Sequence, residues 1–227
     1  MTLPVSPTQP LCTTVADELH RVFVWSADTI WSVDCANRRA NALYSHSTLT
    51  STSLILYHAG QIFVFGDGLQ CVDAVTGASR TISSDPSFRS VVCGVIGDPL
   101  VGHAHVVMNT LRRVHLQSGV HQGVSSDCWA KATAIVQHGP YLYVFAHQLY
   151  AVHPSSGRWA RIDPREWSGV SSATVWNNLL VTVSGDDIWI VKPIAYEREW
   201  PGQRNISASA VHQGPGTAVS AGSMVSL

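Results

Sequence analysis

Charge is scarce in this chain: 13% of its 227 residues are Asp, Glu, Lys or Arg, and the formal net charge is -1. That scarcity argues against nucleic acid or an anionic membrane as partner, because both recruit clustered Lys and Arg. The one basic pair, Arg112-Arg113, reads as a solvated strand edge, since a phosphate site draws on several such residues. No run approaches the roughly eighteen apolar residues of a membrane-spanning helix, so no membrane insertion is expected. The segment Met1-Thr2-Leu3-Pro4-Val5-Ser6-Pro7 has neither a basic region nor a long apolar stretch, and reads as lacking a secretory signal. Without one, the sequon Asn205-Ile206-Ser207 reads as a chance match.

Cysteine pattern and catalytic motifs are missing too. The five cysteines, Cys12, Cys35, Cys71, Cys93 and Cys128, are odd in number and scattered, with no C-x-x-C spacing. They read as reduced, buried thiols of an intracellular, cytoplasmic protein. There is no nucleophile elbow, no phosphate-cradling glycine loop and no constellation of paired carboxylates, so no enzyme is expected. Gly66-Asp67-Gly68 precedes a strand pattern and is therefore a hairpin turn rather than a dinucleotide loop. Helical periodicity is absent; the only arguable stretch, Val15 to Arg21, is short and uncapped.

What the chain does have is a repeat. A phrase with aliphatic residues three positions apart returns as Ile30-Trp31-Ser32-Val33, Leu69-Gln70-Cys71-Val72, Leu111-Arg112-Arg113-Val114, Leu149-Tyr150-Ala151-Val152, Ile188-Trp189-Ile190-Val191 and Met224-Val225-Ser226-Leu227. The last residues of these phrases are separated by 39, 42, 38, 39 and 36 positions. A period near forty among short apolar runs is the signature of a β-propeller. The fourth unit reads most clearly, with strands at Ala132 to Gln137, Tyr141 to Phe145, Leu149 to Val152 and Arg158 to Ile162, joined by tight turns into one antiparallel blade. The residues five positions before each phrase end, Asp28, Asp67, Asn109, His147, Asp186 and Gly222, are mostly types that tolerate the positive φ of a hairpin turn.

The expected fold is all-β: a single six-bladed β-propeller of four-stranded antiparallel blades filling 1–227 as one domain. The blades are placed at approximately 9–45, 46–84, 85–126, 127–164, 165–202, and 203–227 completed by 1–8. The sixth unit lacks its fourth strand, and Val5-Ser6-Pro7 fits the series of fourth-strand ends, so Thr2 to Ser6 is expected to pair with Ser223 to Leu227 and close the ring. In the clearest units, Gln61-Ile62-Phe63-Val64-Phe65 with Leu69-Gln70-Cys71-Val72-Asp73 and Gly77, and Tyr141-Leu142-Tyr143-Val144-Phe145 with Leu149-Tyr150-Ala151-Val152 and Gly157-Arg158-Trp159, the text resembles kelch and quinoprotein-like (PQQ-like) propeller repeats. Those families write a blade as an aromatic-rich second strand, a turn, an L-x-x-V-D third strand and x-x-G-x-W. The double glycine after the kelch second strand is replaced here by Gly66-Asp67, Ala146-His147 and Gly185-Asp186.

Five or six residues after each fourth strand stands a large apolar side chain: Leu11, Leu49, Phe88, Trp129, Trp167 and Ile206. These six either wedge between blades as core or rim a face that binds a partner, and the aromatic arc Phe88, Trp129 and Trp167 favours the second use if one protein binds asymmetrically. Asp28, Asp67 and Asp186 read as turn formers, because carboxylates on separate blades stand too far apart for one ion. His58, His138 and His212 sit near equivalent turns, too spread to converge on zinc. His103-Ala104-His105 puts two imidazoles on one face of a strand with no carboxylate or Cys partner in view. No cofactor or metal is expected. The functional expectation is a non-catalytic protein-protein interaction module or scaffold, a subunit of a larger intracellular assembly. The alternatives are a lectin-like or small-ligand-binding propeller and a propeller hydrolase, the last disfavoured because the first strands read as apolar or small.

Overall fold

The computed structural model describes residues 12–47, 53–97, 100–129, 131–193 and 210–213. The chain is an all-β propeller, and the described residues form five blades, each an antiparallel sheet of four strands in sequence order. They group into two compact units, one of residues 1–132 with 154–158 and the other of 133–153 with 159–227.

The first unit holds three blades. Blade 1 is β1 (Cys12–Ala16), β2 (Arg21–Ser26), β3 (Thr29–Asp34) and β4 (Arg39–Ser45). Blade 2 is β5 (Leu54–His58), β6 (Gln61–Phe65), β7 (Leu69–Asp73) and β8 (Ser79–Ser83). Blade 3 is β9 (Cys93–Ile96), β10 (His103–Val107), β11 (Leu111–His115) and β12 (His121–Gly123). The second strand of blade 2 reads as an apolar run, Ile62 to Phe65, because both its faces are covered. Along β6, Ile62 and Val64 pack with Phe23 and Trp25 of blade 1, while Phe63 and Phe65 pack with Ala104 and Val106 of blade 3. The arguable helix is one 3-10 turn, Asp17–Leu19.

The turn after the third strand of blade 2 explains the glycine there. Asp73 Oδ1 accepts from the backbone N–H groups of Val75 and Thr76 at 3.0 and 2.7 Å, which bends the chain so that Gly77 takes φ +74. A Cβ on Gly77 would also lie 2.3 Å from the Leu43 carbonyl oxygen of blade 1. Glycine is thus required twice at this point, for its dihedral and for the close approach of the neighbouring blade.

The second unit holds blade 4, made of β13 (Ala134–His138), β14 (Tyr141–Phe145), β15 (Leu149–Val152) and β16 (Trp159–Asp163). Blade 5 is β17 (Val170–Trp176), β18 (Leu179–Ser184), β19 (Asp187–Val191) and β20 (Ala210–Gln213). Tyr143 and Phe145 of blade 4 pack with Leu180 and Val191 of blade 5.

Three expectations are corrected. The six-bladed count becomes five: β20 pairs with β19, Val191 opposite Ala210 and Ile188 opposite Gln213. Ala210 and Val211, assigned to a sixth blade's first strand, therefore lie in the fourth strand of blade 5, and Trp200 lies outside the described residues. The physical cause is the long connection after Val191, which replaces the tight turn used elsewhere, so spacing along the sequence no longer reports pairing. No closure by an N-terminal strand is shown: Thr2 to Ser6 and Ser223 to Leu227 lie outside the described residues, and blade 1 begins with its own first strand, β1, paired to β2. Finally, positive φ at the hairpins between second and third strands falls on Ala27, Gly68 and Gly185, not on Asp28, Asp67 or Asp186.

Candidate functional site

The aromatic residues expected to rim a binding face are interior. Phe88, Trp129 and Trp167 expose 0, 5 and 4% of their surface. Phe88 rides on a 3-10 turn, Pro86–Ser90, whose N-terminus Asp85 caps by accepting from Ser87 N at 2.8 Å. The Trp129 and Trp167 backbone N–H groups donate to the carbonyls of Asn109 and His147 at the tips of second-to-third-strand hairpins, 2.8 and 3.2 Å away. Each loop is thereby pinned to its blade and its ring is directed inward. Leu11, Leu49 and Ile206 lie outside the described residues.

Two polar clusters were not read from the sequence, the first because its members are far apart in it. In the first unit His121 bridges Asp85 and Arg112: Nε2 lies 3.0 Å from Asp85 Oδ2, and Nδ1 lies 2.9 Å from Arg112 Nη1. Arg112 can only donate, so Nδ1 accepts and the proton sits on Nε2, donated to Asp85. With both nitrogens occupied, this imidazole has no lone pair to offer a substrate as general base. His121 donation, with the Ser87 amide, holds Asp85 down at about 2. In the second unit Arg165 Nε donates to buried Asp163 at 3.0 and 2.9 Å, and its guanidinium lies 5.5 and 5.8 Å from the ring centres of Trp167 and Trp189. Paired and stacked, it fixes the loop after β16.

The other sequence candidates stay apart. Asp67 is ion-paired with Arg89. His58 and His138 end β5 and β13, and His212 lies on β20. Among the described residues no group of three or more His, Cys, Asp or Glu side chains could hold a metal ion. Nor is any helix among the described residues long and apolar enough to cross a membrane. The cysteines are all unbridged, but only Cys71 and Cys93 are buried; Cys35 and Cys128 are exposed, which corrects the expectation of uniformly buried thiols. Cys35 sits in the third-to-fourth-strand turn and so escapes the apolar strand before it.

The surface that stands out belongs to blade 5. One face of its sheet carries Trp176, Val181, Val183, Ile188 and Ile190, with Ser172 and Thr174 beside them; Val183 faces Ile188 across the strand pair and Val181 faces Ile190. Trp176, Val183 and Ile188 are 53, 38 and 44% exposed. Blades 1, 2 and 4 use the positions matching Val181 and Val183 for Phe23 and Trp25, Phe63 and Phe65, and Tyr143 and Phe145, all buried. Sequence alone could not separate these cases, because the face reads as an ordinary core strand.

No protein-family model matches this sequence, and no curated protein matches it. Solved structures share its fold. A chain of the nidogen/laminin complex aligns with TM-score 0.68 at 11% identity, over 82% of this chain and 77% of that one. The computationally designed Ika8 protein aligns at 0.57 and 11%, over 80% of this chain and 57% of its own. PorZ, a bacterial surface component of the type-IX secretion system of Porphyromonas gingivalis, aligns at 0.57 and 12%, over 86% of this chain and 28% of its own. This chain thus spans little more than half of the designed protein and under a third of PorZ. At such identities the likeness establishes the β-propeller and leaves kelch or quinoprotein-like membership without support.

Proposed function

We propose that this propeller is a non-catalytic protein-interaction module, and that it binds a separate protein chain through the exposed face of blade 5. The observation carrying this reading is the contrast just described: positions that are core in blades 1, 2 and 4 stand open in blade 5, as aliphatics around Trp176. The face bears no Asp, Glu, Lys or Arg at Ser172, Thr174, Trp176, Val181, Val183, Ile188 or Ile190, so the partner it suits is uncharged and apolar at the contact. The kelch-like and scaffold aspects of the reading add nothing to this contact and rest on the repeat pattern alone.

The test is recovery of a partner by tagged protein, followed by rebinding of the purified partner. Val183→Asp and Ile188→Asp should abolish rebinding while the melting temperature stays within a few degrees, because a charge placed on a solvent-exposed strand face costs the isolated fold little. Val75→Asp, at an exposed turn of blade 2, should leave binding intact. Undiminished rebinding by both blade 5 variants overturns the reading.

A further inference from the structure

His103-Ala104-His105, set aside in the sequence as two imidazoles without a partner, falls on β10 opposite β11. The register places His103 against His115 and His105 against Arg113, so three imidazoles and a guanidinium form a two-by-two block on one sheet face. The His103 and His115 rings lie 5.1 Å apart, edge to face. His105 is 5% exposed, and neither ring nitrogen has a hydrogen-bond partner among the described residues. Gly97 lies so close that a Cβ there would fall 2.7 Å from His105 Nδ1.

Packing does not ask for an imidazole at this position. The matching residues of blades 1, 2 and 4 are Phe23, Phe63 and Tyr143, all buried. Replacing such a ring by histidine buries two polar atoms without partners, which costs stability even when the ring is neutral. Charging it is far worse. Among the described residues, the charged or chargeable groups acting on His105 are Arg113 and His103, both of which repel a proton there. On the flanking strands the same face presents Cys93, Val95 and Gln122, none of them anionic, and the Cys93 thiol is pushed up to about 12 by burial and stays neutral.

We propose that this block is an acid-sensitive latch: protonation of His105 beside Arg113 and His103 loosens blade 3 while blade 2 keeps its packing. Burial, together with Arg113 and His103, lowers His105 to about 4, below the 6.5 of a free imidazole. A depressed histidine contributes stability in full above the unfolded value and loses it as pH falls through the folded one. The loosening therefore belongs to the window between about pH 6.5 and pH 4. Blade 2 lacks the trigger, since the same slot there is Phe63.

Amide hydrogen exchange at about pH 7 and about pH 4.5 tests this, read as protection factors for β10 and β11 against β6 and β7. Protection in β10 and β11 should fall roughly tenfold or more at the lower pH, the change expected for one displaced proton, and β6 and β7 should hold. His105→Phe should remove the fall. Should that variant misfold, Arg113→Gln and His103→Gln each relieve one repulsion and should shrink it. Equal loss in both blades, or an undiminished fall in Arg113→Gln and His103→Gln, overturns the latch.

Discussion

Trp167 stands edge-on to Phe145, ring centroids 5.5 Å apart and planes at 66°. Phe88 meets Phe65 in nearly the same way, at 5.7 Å and 65°. In both blades the last ring of the second strand receives the aromatic of the loop leaving the fourth, a repeated joint that seals one end of the sheet. Such pairs contribute beyond their buried area. Trp167→Ala and Phe88→Ala should each lower unfolding free energy by about 3–5 kcal/mol, measured by urea titration. A near-native curve for Trp167→Ala combined with loss of a bound partner would return that residue to an interface.

Two glycines separate dihedral strain from steric clearance. Gly77 and Gly60 have nearly the same φ, +74 and +79, but only Gly77 has a neighbouring backbone within reach of a Cβ. Gly60→Ala should cost about 1 kcal/mol, the ordinary penalty for alanine at positive φ. Gly77→Ala should cost clearly more, because blade 1 must also move away. Equal losses in thermal or urea unfolding would show that the approach to Leu43 yields freely.

The strands of blade 4 were legible almost to the residue, since Tyr141 to Phe145 and Leu149 to Val152 are apolar runs fenced by His138-Gly139-Pro140 and Ala146-His147-Gln148. Blade 5 failed at one point. Its third strand is followed by a long connection, and the eye accepts Trp200-Pro201-Gly202 as the next strand end because every other blade turns tightly there. The functional surfaces were less legible still. His121, Asp85 and Arg112 meet only through folding, and Val183 looks the same in sequence whether its face is covered or open. His103-Ala104-His105 was visible, but its meaning depends on Arg113 and His115 lying opposite in register.

Thiol reactivity follows from position within the turn or strand. Cys35 and Cys128 are exposed, while Cys71 and Cys93 are buried and desolvation raises both thiols, Cys93 to about 12. The thiolate is the reacting species, so a buried thiol held protonated is inert. Ellman titration of native protein should register Cys35 and Cys128 quickly, and Cys71 and Cys93 only after denaturant is added. Fast labelling of Cys93 in native protein would mean that blade 3 opens readily at neutral pH.

Asp85 combines a cap with a charge, and the two can be separated. Its carboxylate accepts from Ser87 N and from His121 Nε2, and the His121 bond is the larger cause of its fall from 3.8 to about 2. A carboxyl lowered in the fold stabilises above the unfolded value and loses that contribution as pH drops through the folded one. Asn at this position keeps an oxygen for the Ser87 N–H but discards the charge. Asp85→Asn should therefore be less stable than the parent at about pH 6, and the gap should close between about pH 4 and pH 2. Adding His121→Phe should remove most of the remaining difference, because the bond that distinguishes carboxylate from amide is then gone. A gap that stays constant across this range, read from urea midpoints, would show that the cap alone holds the loop and that His121 contributes only its ring against Phe88.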